Sequence, residues 1–134
     1  MKKETIICII IVITISVGNI ITQKYTKESV ETLSNGLETL KTDLKNELDS
    51  NEKELNEKML EEIGKIKENW ESRHDKLAYY IEHNELEKVE NNLTALNSFV
   101  QTKEYADAIK ELDESVFVLR HIQEKYAFNL KNIF

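Results

Sequence analysis

The residues of this chain whose chemistry is most suggestive lie in the stretch 79–92, which reads YYIEHNELEKVENN. Carboxylates and an imidazole at such spacing serve in acid–base catalysis or as metal ligands. On a helical wheel at about 100° per residue, Glu82 and Glu85 share a face with the apolar side chains, whereas His83 and Glu87 fall opposite. The spacing therefore divides the cluster and predicts that Glu82 and Glu85 face a partner helix.

A metal or catalytic centre needs more than this stretch supplies. His83 and Glu87 have the i, i+4 spacing to share one ion, but zinc takes three or four ligands and di-iron bundles use Glu-x-x-His pairs on two helices. The only cysteine, Cys8, lies in an apolar run, so disulfides and Cys-based zinc sites are excluded from the rest of the chain. No nucleophile elbow, phosphate loop or HExxH occurs. We expect no metal, no cofactor and no enzymatic activity.

A buried carboxylate needs a hydrogen-bond donor, because burying an unpaired charge is costly. Antiparallel pairing with the last helix of the chain brings Gln123 beside His83. Gln123, or a neighbour on that helix, is therefore the expected donor to Glu82 or Glu85, in a pair that fixes helix register. The alternatives are simple exposure at a helix edge, or a ligand or ion site.

His121 is the other imidazole near this cluster. It lies on the opposite side of its helix from Leu119, between Phe117 and Phe128, which predicts a second apolar face buried by another neighbour. We expect His121 to be packed and hydrogen-bonded. The alternative is a pH-responsive contact or a metal ligand.

The composition indicates what kind of fold carries these residues. The chain has 134 residues, of which 40% are hydrophobic and 32% charged, and it has three glycines and no proline. Folds rich in turns need Gly and Pro, whereas an all-helical chain needs few of either. The prediction is an all-α protein of one domain, with room for an anchor.

Residues 1–22 are the expected anchor. Lys2 and Lys3 precede a run of mostly Ile and Val, and its length reaches the lower limit of about 17 residues for a transmembrane helix. We predict a single-pass signal anchor in the cell membrane, with residues 23–134 on the extracytoplasmic side. A signal peptide cleaved near Ser16–Gly18 and a soluble core helix are the alternatives.

The charge after the anchor excludes one class of partner. Lys2, Lys3 and Glu4 leave 16 of the 18 basic and 24 of the 25 acidic residues from Gln23 onward, a net charge of −8. The two signs alternate, so no concentrated cationic face is available for nucleic acid or for anionic lipid. We interpret these charges as a solvated surface.

Four apolar stripes at helical spacing predict an antiparallel bundle of four helices. Reversals are expected at Asp49–Asn51, with Asp49 and Glu52 as a capping pair, at Ser72–Asp75 and at Gln101–Glu104. Alternatives are three helices, with 52–101 as one, and a stalk that pairs with another chain as a coiled coil. The stripes are Val30, Leu33, Leu37, Leu40, Leu44 and Leu48; Leu55, Met59, Ile63, Ile66 and Trp70; Leu77, Ile81, Val89, Leu93, Leu96 and Val100; and Tyr105, Ile109, Leu112, Val116, Leu119, Ile122, Tyr126, Leu130 and Ile133.

An ordered set of short motifs resembles a known bacterial family. The set is Trp70, IEHNE at 81–85, LRHIQEK at 119–125 and LKNIF at 130–134. It is similar to a family of unknown function made of short proteins with one N-terminal membrane segment. The resemblance implies no catalytic residues, and it makes a membrane protein the expected partner. Its characteristic pattern would include Trp70, Glu82, His83, Glu85, His121, Asn132 and Ile133.

Two expectations follow for the bundle. The pairing of the last helix brings residues 132–134 next to Trp70, so deleting them should lower the melting temperature. The polar cluster of Glu82, Glu85, Gln123 and His121, with Trp70, is the candidate interaction site. We expect a membrane-anchored interaction or accessory module; the alternatives are a homo-oligomeric coiled-coil stalk and a bundle that senses a ligand or metal.

Overall fold

Four α-helices make up the part of the chain that the computed structural model describes, residues 2–50 and 55–127. They are α1 (Lys2–Asp49), α2 (Asn56–Leu77), α3 (His83–Gln101) and α4 (Tyr105–Lys125). These ranges contain no strand, and the all-α prediction is confirmed.

The helices form a closed antiparallel bundle. Each helix packs against its neighbour along the chain, and α4 returns to pack against α1. The predicted stripes supply the core because a face that is apolar every three or four residues is buried when it meets a second such face. The buried apolar residues are Val30, Leu33, Leu37, Leu40 and Leu44 of α1; Met59, Ile63, Ile66, Trp70 and Leu77 of α2; Leu86, Val89, Leu93, Leu96 and Val100 of α3; and Tyr105, Ala108, Leu112, Val116, Leu119 and Ile122 of α4.

Helix α1 differs from the others because only its second half belongs to the bundle. It is 48 residues long, which corresponds to about 72 Å at the rise of an α-helix. Its apolar first half, Ile6–Ile21, is exposed, and its buried stripe begins at Thr26 and continues to Glu47. By length and composition α1 is able to cross a membrane, and a signal sequence has the same properties. We call the end of the bundle nearest this apolar half the base.

The first reversal lies where the sequence places it, but its capping prediction is wrong. Helix α1 ends at Asp49, and α2 begins only at Asn56. Leu55 occupies the N-cap position of α2 and makes no side-chain cap bond, so Asp49 does not cap this helix. The predicted partner Glu52 lies outside the described residues. Leu48, expected in the apolar stripe, is exposed because α1 ends one residue later.

The second reversal confirms four helices over three and corrects the predicted position of the turn. Helix α2 continues through 72–75, and the turn occupies 78–82. Ser72 lies inside α2 and does not cap a new helix. Its hydroxyl donates to the carbonyl of Asn69, three residues earlier in the same helix, at 2.8 Å. Leu77 and Ile81, expected on the third helix, are buried at the two sides of the turn instead.

The third reversal agrees with the prediction and ends α3 with a Schellman motif. The amide of Glu104 donates to the Phe99 carbonyl at 2.8 Å, and the amide of Lys103 donates to the Val100 carbonyl at 3.1 Å. Lys103 adopts the left-handed conformation, with φ of 60°, at the position where this motif usually has glycine.

Candidate functional site

A polar cluster joins the first turn of α3 to the last turn of α4 at the base. The Nζ atom of Lys125 lies 3.3 Å from Oε1 of Glu82 and 3.4 Å from Oε1 of Glu85. Nε2 of His121 lies 4.0 Å from the same Glu85 oxygen. With Tyr126, these residues form what we call the base cluster.

The start of α3 explains how Glu82 enters this cluster. Glu82 is the N-cap residue, with extended backbone angles, and its side chain makes no cap bond. Its amide instead donates to the hydroxyl of Tyr126 at 2.9 Å. The helix therefore takes its cap from α4, because the Tyr126 hydroxyl accepts from an amide that has no partner within α3.

Glu85 is the buried member of the cluster. Its side chain is 7% exposed and lies in the first turn of α3, where the positive end of the helix dipole favours a carboxylate. Oε1 accepts a hydrogen bond from Lys125. Oε2 is buried, lies 3.8 Å from Nζ of Lys88 and has no hydrogen-bond partner among residues 2–50 and 55–127. The carboxylate therefore retains hydrogen-bonding capacity that the bundle does not use.

The carboxylates also act on Lys125. The hydrogen bond to Glu82 raises the pKa of Lys125 above its ordinary value of 10.5; desolvation opposes this rise, and the hydrogen bond to Glu85 adds to it. Lys125 also lies in the last turn of α4, where the helix dipole favours a cation. The cluster is thus a set of complementary charges at two helix ends.

The helical wheel gave the correct side for three residues of the stretch 79–92, namely His83, Glu85 and Glu87. Glu85 is buried, and His83 and Glu87 are exposed. Glu82 is exposed, and its carboxylate contacts Lys125 of α4 at the edge of the helix pair. The helical wheel does not apply at this position, because α3 begins after it.

The donor to the carboxylates is Lys125, a neighbour of Gln123 on the last helix. Gln123 itself is half-buried and lines a different groove, beside Ile20 and Gln23 of α1. The signal for Lys125 was present in the sequence, since it follows His121 by four residues and so shares its helix face. Tyr126 gave no such signal, because its role depends on the backbone of Glu82.

His121 does not have the packed environment predicted for it. Its side chain is 50% exposed, and Phe117, on the supposed second apolar face, is 72% exposed. The physical reason is that, among the described helices, α4 packs against α1 and α3 and no third helix covers its outer side. Phe128 lies outside the described residues.

Trp70 is separate from the base cluster. It is buried between α2 and α3, with its ring edge-to-face to His74 at 5.9 Å between centroids. It lines a cleft of about 250 Å³ together with Glu90 and Leu93, and its Nε1 has no hydrogen-bond partner in the described part of the chain. The segment 132–134, predicted to close around Trp70, is not among the described residues.

Metal binding has no support in the geometry of 2–50 and 55–127. No group of three or more His, Cys, Asp or Glu side chains in these ranges is arranged to hold an ion. The interactions of the base cluster are ion pairs and hydrogen bonds between helix ends.

Comparison with known proteins identifies the bundle. Residues 20–133 match the family model of a domain of unknown function, DUF4363. The chain belongs to the DUF4363 family. This confirms the resemblance to a family of unknown function. No curated protein and no solved structure matches the chain. The DUF4363 match begins at Ile20, so it covers the bundle, the base cluster and Trp70, and it omits most of the apolar half of α1.

Proposed function

We propose that this DUF4363 protein is a single-pass membrane protein whose bundle acts, without catalysis, by binding a partner at the membrane surface. One observation carries the proposal: α1 runs without a break from an exposed apolar half into the core of the bundle. A continuous exposed surface of Ile and Val is unstable in water and stable in lipid. The bilayer is the environment that suits this half of α1.

We assign the bundle to the extracytoplasmic side of the cell membrane because Lys2 and Lys3 precede the span and basic residues favour the cytoplasmic side. Lys24 and Lys27, beyond the span, act in the opposite direction, so the orientation is a separate part of the proposal with its own test.

The base cluster is the surface we assign to the partner. It presents the exposed side chains of Glu82 and His121, and the carboxylate of Glu85 is buried next to them. A buried ion pair is frequently no more stabilising than apolar residues of the same size, so stability alone does not account for a charge at Glu85, and a role in specific recognition does. Because the cluster lies at the base, a partner with charged groups close to the membrane suits it, which is the chemistry of a membrane protein's short loop.

A homo-oligomeric coiled-coil stalk has less support. Its pairing surface would be the stripe of α1, and Leu37, Leu40 and Leu44 in that stripe are fully buried by the chain's own helices. Self-association would have to use the apolar half of α1 or the outer side of α4.

Site-specific photo-crosslinking in intact membranes tests the binding proposal. A photoreactive amino acid replaces His121, and the matched control replaces Lys110, which is exposed on the same helix away from the base. We expect one discrete adduct from position 121, its loss on Lys125→Glu in the same chain, and none from position 110. Equal adducts from both positions, or no adduct from position 121, would contradict the proposal.

A further inference from the structure

Tyrosines are concentrated at the base of the bundle. Of the five in the chain, Tyr25 lies in α1, Tyr79 and Tyr80 lie in the turn between α2 and α3, and Tyr126 follows α4. Only Tyr105 lies at the opposite end. Tyr and Trp are enriched where membrane proteins meet the headgroup layer, because their rings are apolar and their hydroxyl or N–H groups are polar.

The turn between α2 and α3 is fixed to α1 at the level where the apolar run ends. The Tyr80 hydroxyl donates to the carbonyl of Thr22 at 3.2 Å and lies 2.8 Å from Oγ1 of Thr26. Tyr79 is the adjacent residue, and its side chain is 89% exposed. The bundle therefore leaves a large amphipathic side chain uncovered beside the last turn of the apolar half of α1.

The length of the apolar run brings this turn close to lipid. Ile6–Ile21 spans about 24 Å as a helix, which is shorter than a hydrocarbon core of about 30 Å. A short span draws its flanking residues towards the bilayer, or thins the bilayer around it. Thr22, and with it the turn bonded to Thr22, thus belongs at the boundary between hydrocarbon and headgroups.

Electrostatic attraction is not what would hold the base there. Lys24 and Lys27, the basic residues of α1 nearest the span, lie 3.9 Å from Glu28 and 3.8 Å from Glu31. Their charges are matched within their own helix, and Arg73 and Lys76, near the end of α2, lie over the ring of Tyr25 at 5.7 Å and 5.4 Å from its centre. The turn 78–82 itself contains no basic residue to attract anionic lipid.

We propose that the base of the bundle docks on the lipid headgroup layer through the turn 78–82, with Tyr79 as the residue that enters the interface. This surface contacts the bilayer around α1, and zwitterionic lipid is sufficient for the contact. The inference rests on the proposed membrane anchoring and goes beyond it, because a docked bundle has a fixed tilt to the membrane. The base cluster, on the α3–α4 side of the same end, is then held just above the headgroups.

Environment-sensitive fluorescence at single cysteines tests this in the full chain. In a Cys8→Ala background, Tyr79→Cys, Ile20→Cys and Leu48→Cys are each labelled with a small polarity-sensitive fluorophore. All three positions are exposed, so labelling leaves the core intact. Ile20 is the reference within lipid, and Leu48 is the reference at the opposite end of the bundle. The proteins are placed in phosphatidylcholine vesicles, and flotation of the vesicles is measured first.

We expect the chain to float with the vesicles. The emission maximum of the probe at position 79 should lie at a shorter wavelength than that of the probe at position 48. Lipids that carry a quencher near the headgroup should quench position 79 and leave position 48 unaffected, in low and high salt alike. A floating chain whose probe at 79 emits and is quenched like the probe at 48 would overturn the docking inference alone. A chain that does not float would overturn both this inference and the membrane anchoring.

Discussion

Lys125 places its ammonium nitrogen 3.4 Å from Oε1 of Glu85, and the two side chains differ in burial. Lys125 is 37% exposed, whereas Glu85 is 7% exposed. Without Lys125, the carboxylate would stay desolvated and lose its hydrogen bond; without Glu85, the ammonium would turn to water. The two residues should therefore respond differently to substitution.

Replacing each partner tests this difference. Lys125→Met should lower the free energy of unfolding of residues 23–134, because the buried carboxylate loses the hydrogen bond from Lys125 and keeps only the longer contacts to Lys88 and His121. Glu85→Leu should leave the free energy of unfolding unchanged or raise it by about 1 kcal/mol, because an apolar side chain of similar size suits this position. Urea unfolding measures both, with Lys110→Met, at an exposed position, as the control.

The double variant Glu85→Leu, Lys125→Met adds a second check on the same pair. It should be more stable than Lys125→Met alone, because no charge is left unpaired. If Glu85→Leu destabilises the bundle more than Lys125→Met does, the carboxylate is structural and the recognition role assigned to it is wrong.

Lys103 offers a prediction about the backbone. A side chain at φ of 60° costs about 1 kcal/mol relative to glycine, which has no Cβ to clash. Lys103→Gly should therefore raise the free energy of unfolding by about 1 kcal/mol. The same change inside α4, Lys110→Gly, should lower it by about 1 kcal/mol. Thermal unfolding of the two variants should give shifts of opposite sign, and shifts of the same sign would argue against the Schellman motif.

The bundle should lose stability at alkaline pH. The hydrogen bond to Asp113, at 2.6 Å, raises the pKa of Lys41 above 10.5, the hydrogen bond to Glu82 raises that of Lys125, and burial raises the pKa of Tyr80 above 10.0. Each of these groups binds its proton more tightly in the folded chain. Their contribution is therefore complete below the unfolded pKa values and is lost as pH rises through the raised ones.

The measurement is the urea midpoint of residues 23–134 from about pH 8 to about pH 11, because lysine and tyrosine titrate towards the upper end of this range. The midpoint should fall at the upper end of this range, and less steeply in Lys41→Met, which lacks one of the titrating groups. A midpoint that rises with pH would contradict the three contacts.

The stripe of α1 should be buried within one chain. Leu37 is fully buried, so Leu37→Ala should lower the free energy of unfolding by about 2–5 kcal/mol. Sedimentation should find residues 23–134 monomeric at low and high salt. A salt-insensitive dimer that dissociates on Leu37→Ala would favour the coiled-coil stalk instead.

Periodicity explains which parts of the fold were predictable. The predicted residues from Val30 to Leu44, from Val89 to Val100 and from Leu112 to Ile122 follow helical spacing and are buried. Leu86 and Ala108 are also buried and were not predicted, and Ile109 was predicted and is only half-buried. The turn after α2 was misplaced because Ser72 suits both a helix start and a helix interior. Ile81 was assigned to a helix because it follows Leu77 by four residues, which is also the spacing of two apolar residues on one helix face.

The site was harder to predict than the fold. Glu85 could be identified because burial of a helical residue follows from its angle on the wheel. Of its partners, Lys125 had a signal in the sequence, because it shares a helix face with His121. Tyr126 had none, because it reaches α3 through a hydrogen bond from the backbone of Glu82, which has no period. His121 was misjudged since the number of neighbours of α4 is a property of the whole bundle.

Protease accessibility in spheroplasts of a bacterial host tests the central claim most directly. The full chain carries a tag at each end, and the membranes are washed with alkaline carbonate after proteolysis. The account predicts that the chain stays with the washed membranes, that the C-terminal tag is lost from intact spheroplasts, and that the N-terminal tag is protected until lysis. Release of the untreated chain by carbonate, or a C-terminal tag protected in intact spheroplasts, would contradict a bundle anchored by α1 on the outer side of the membrane.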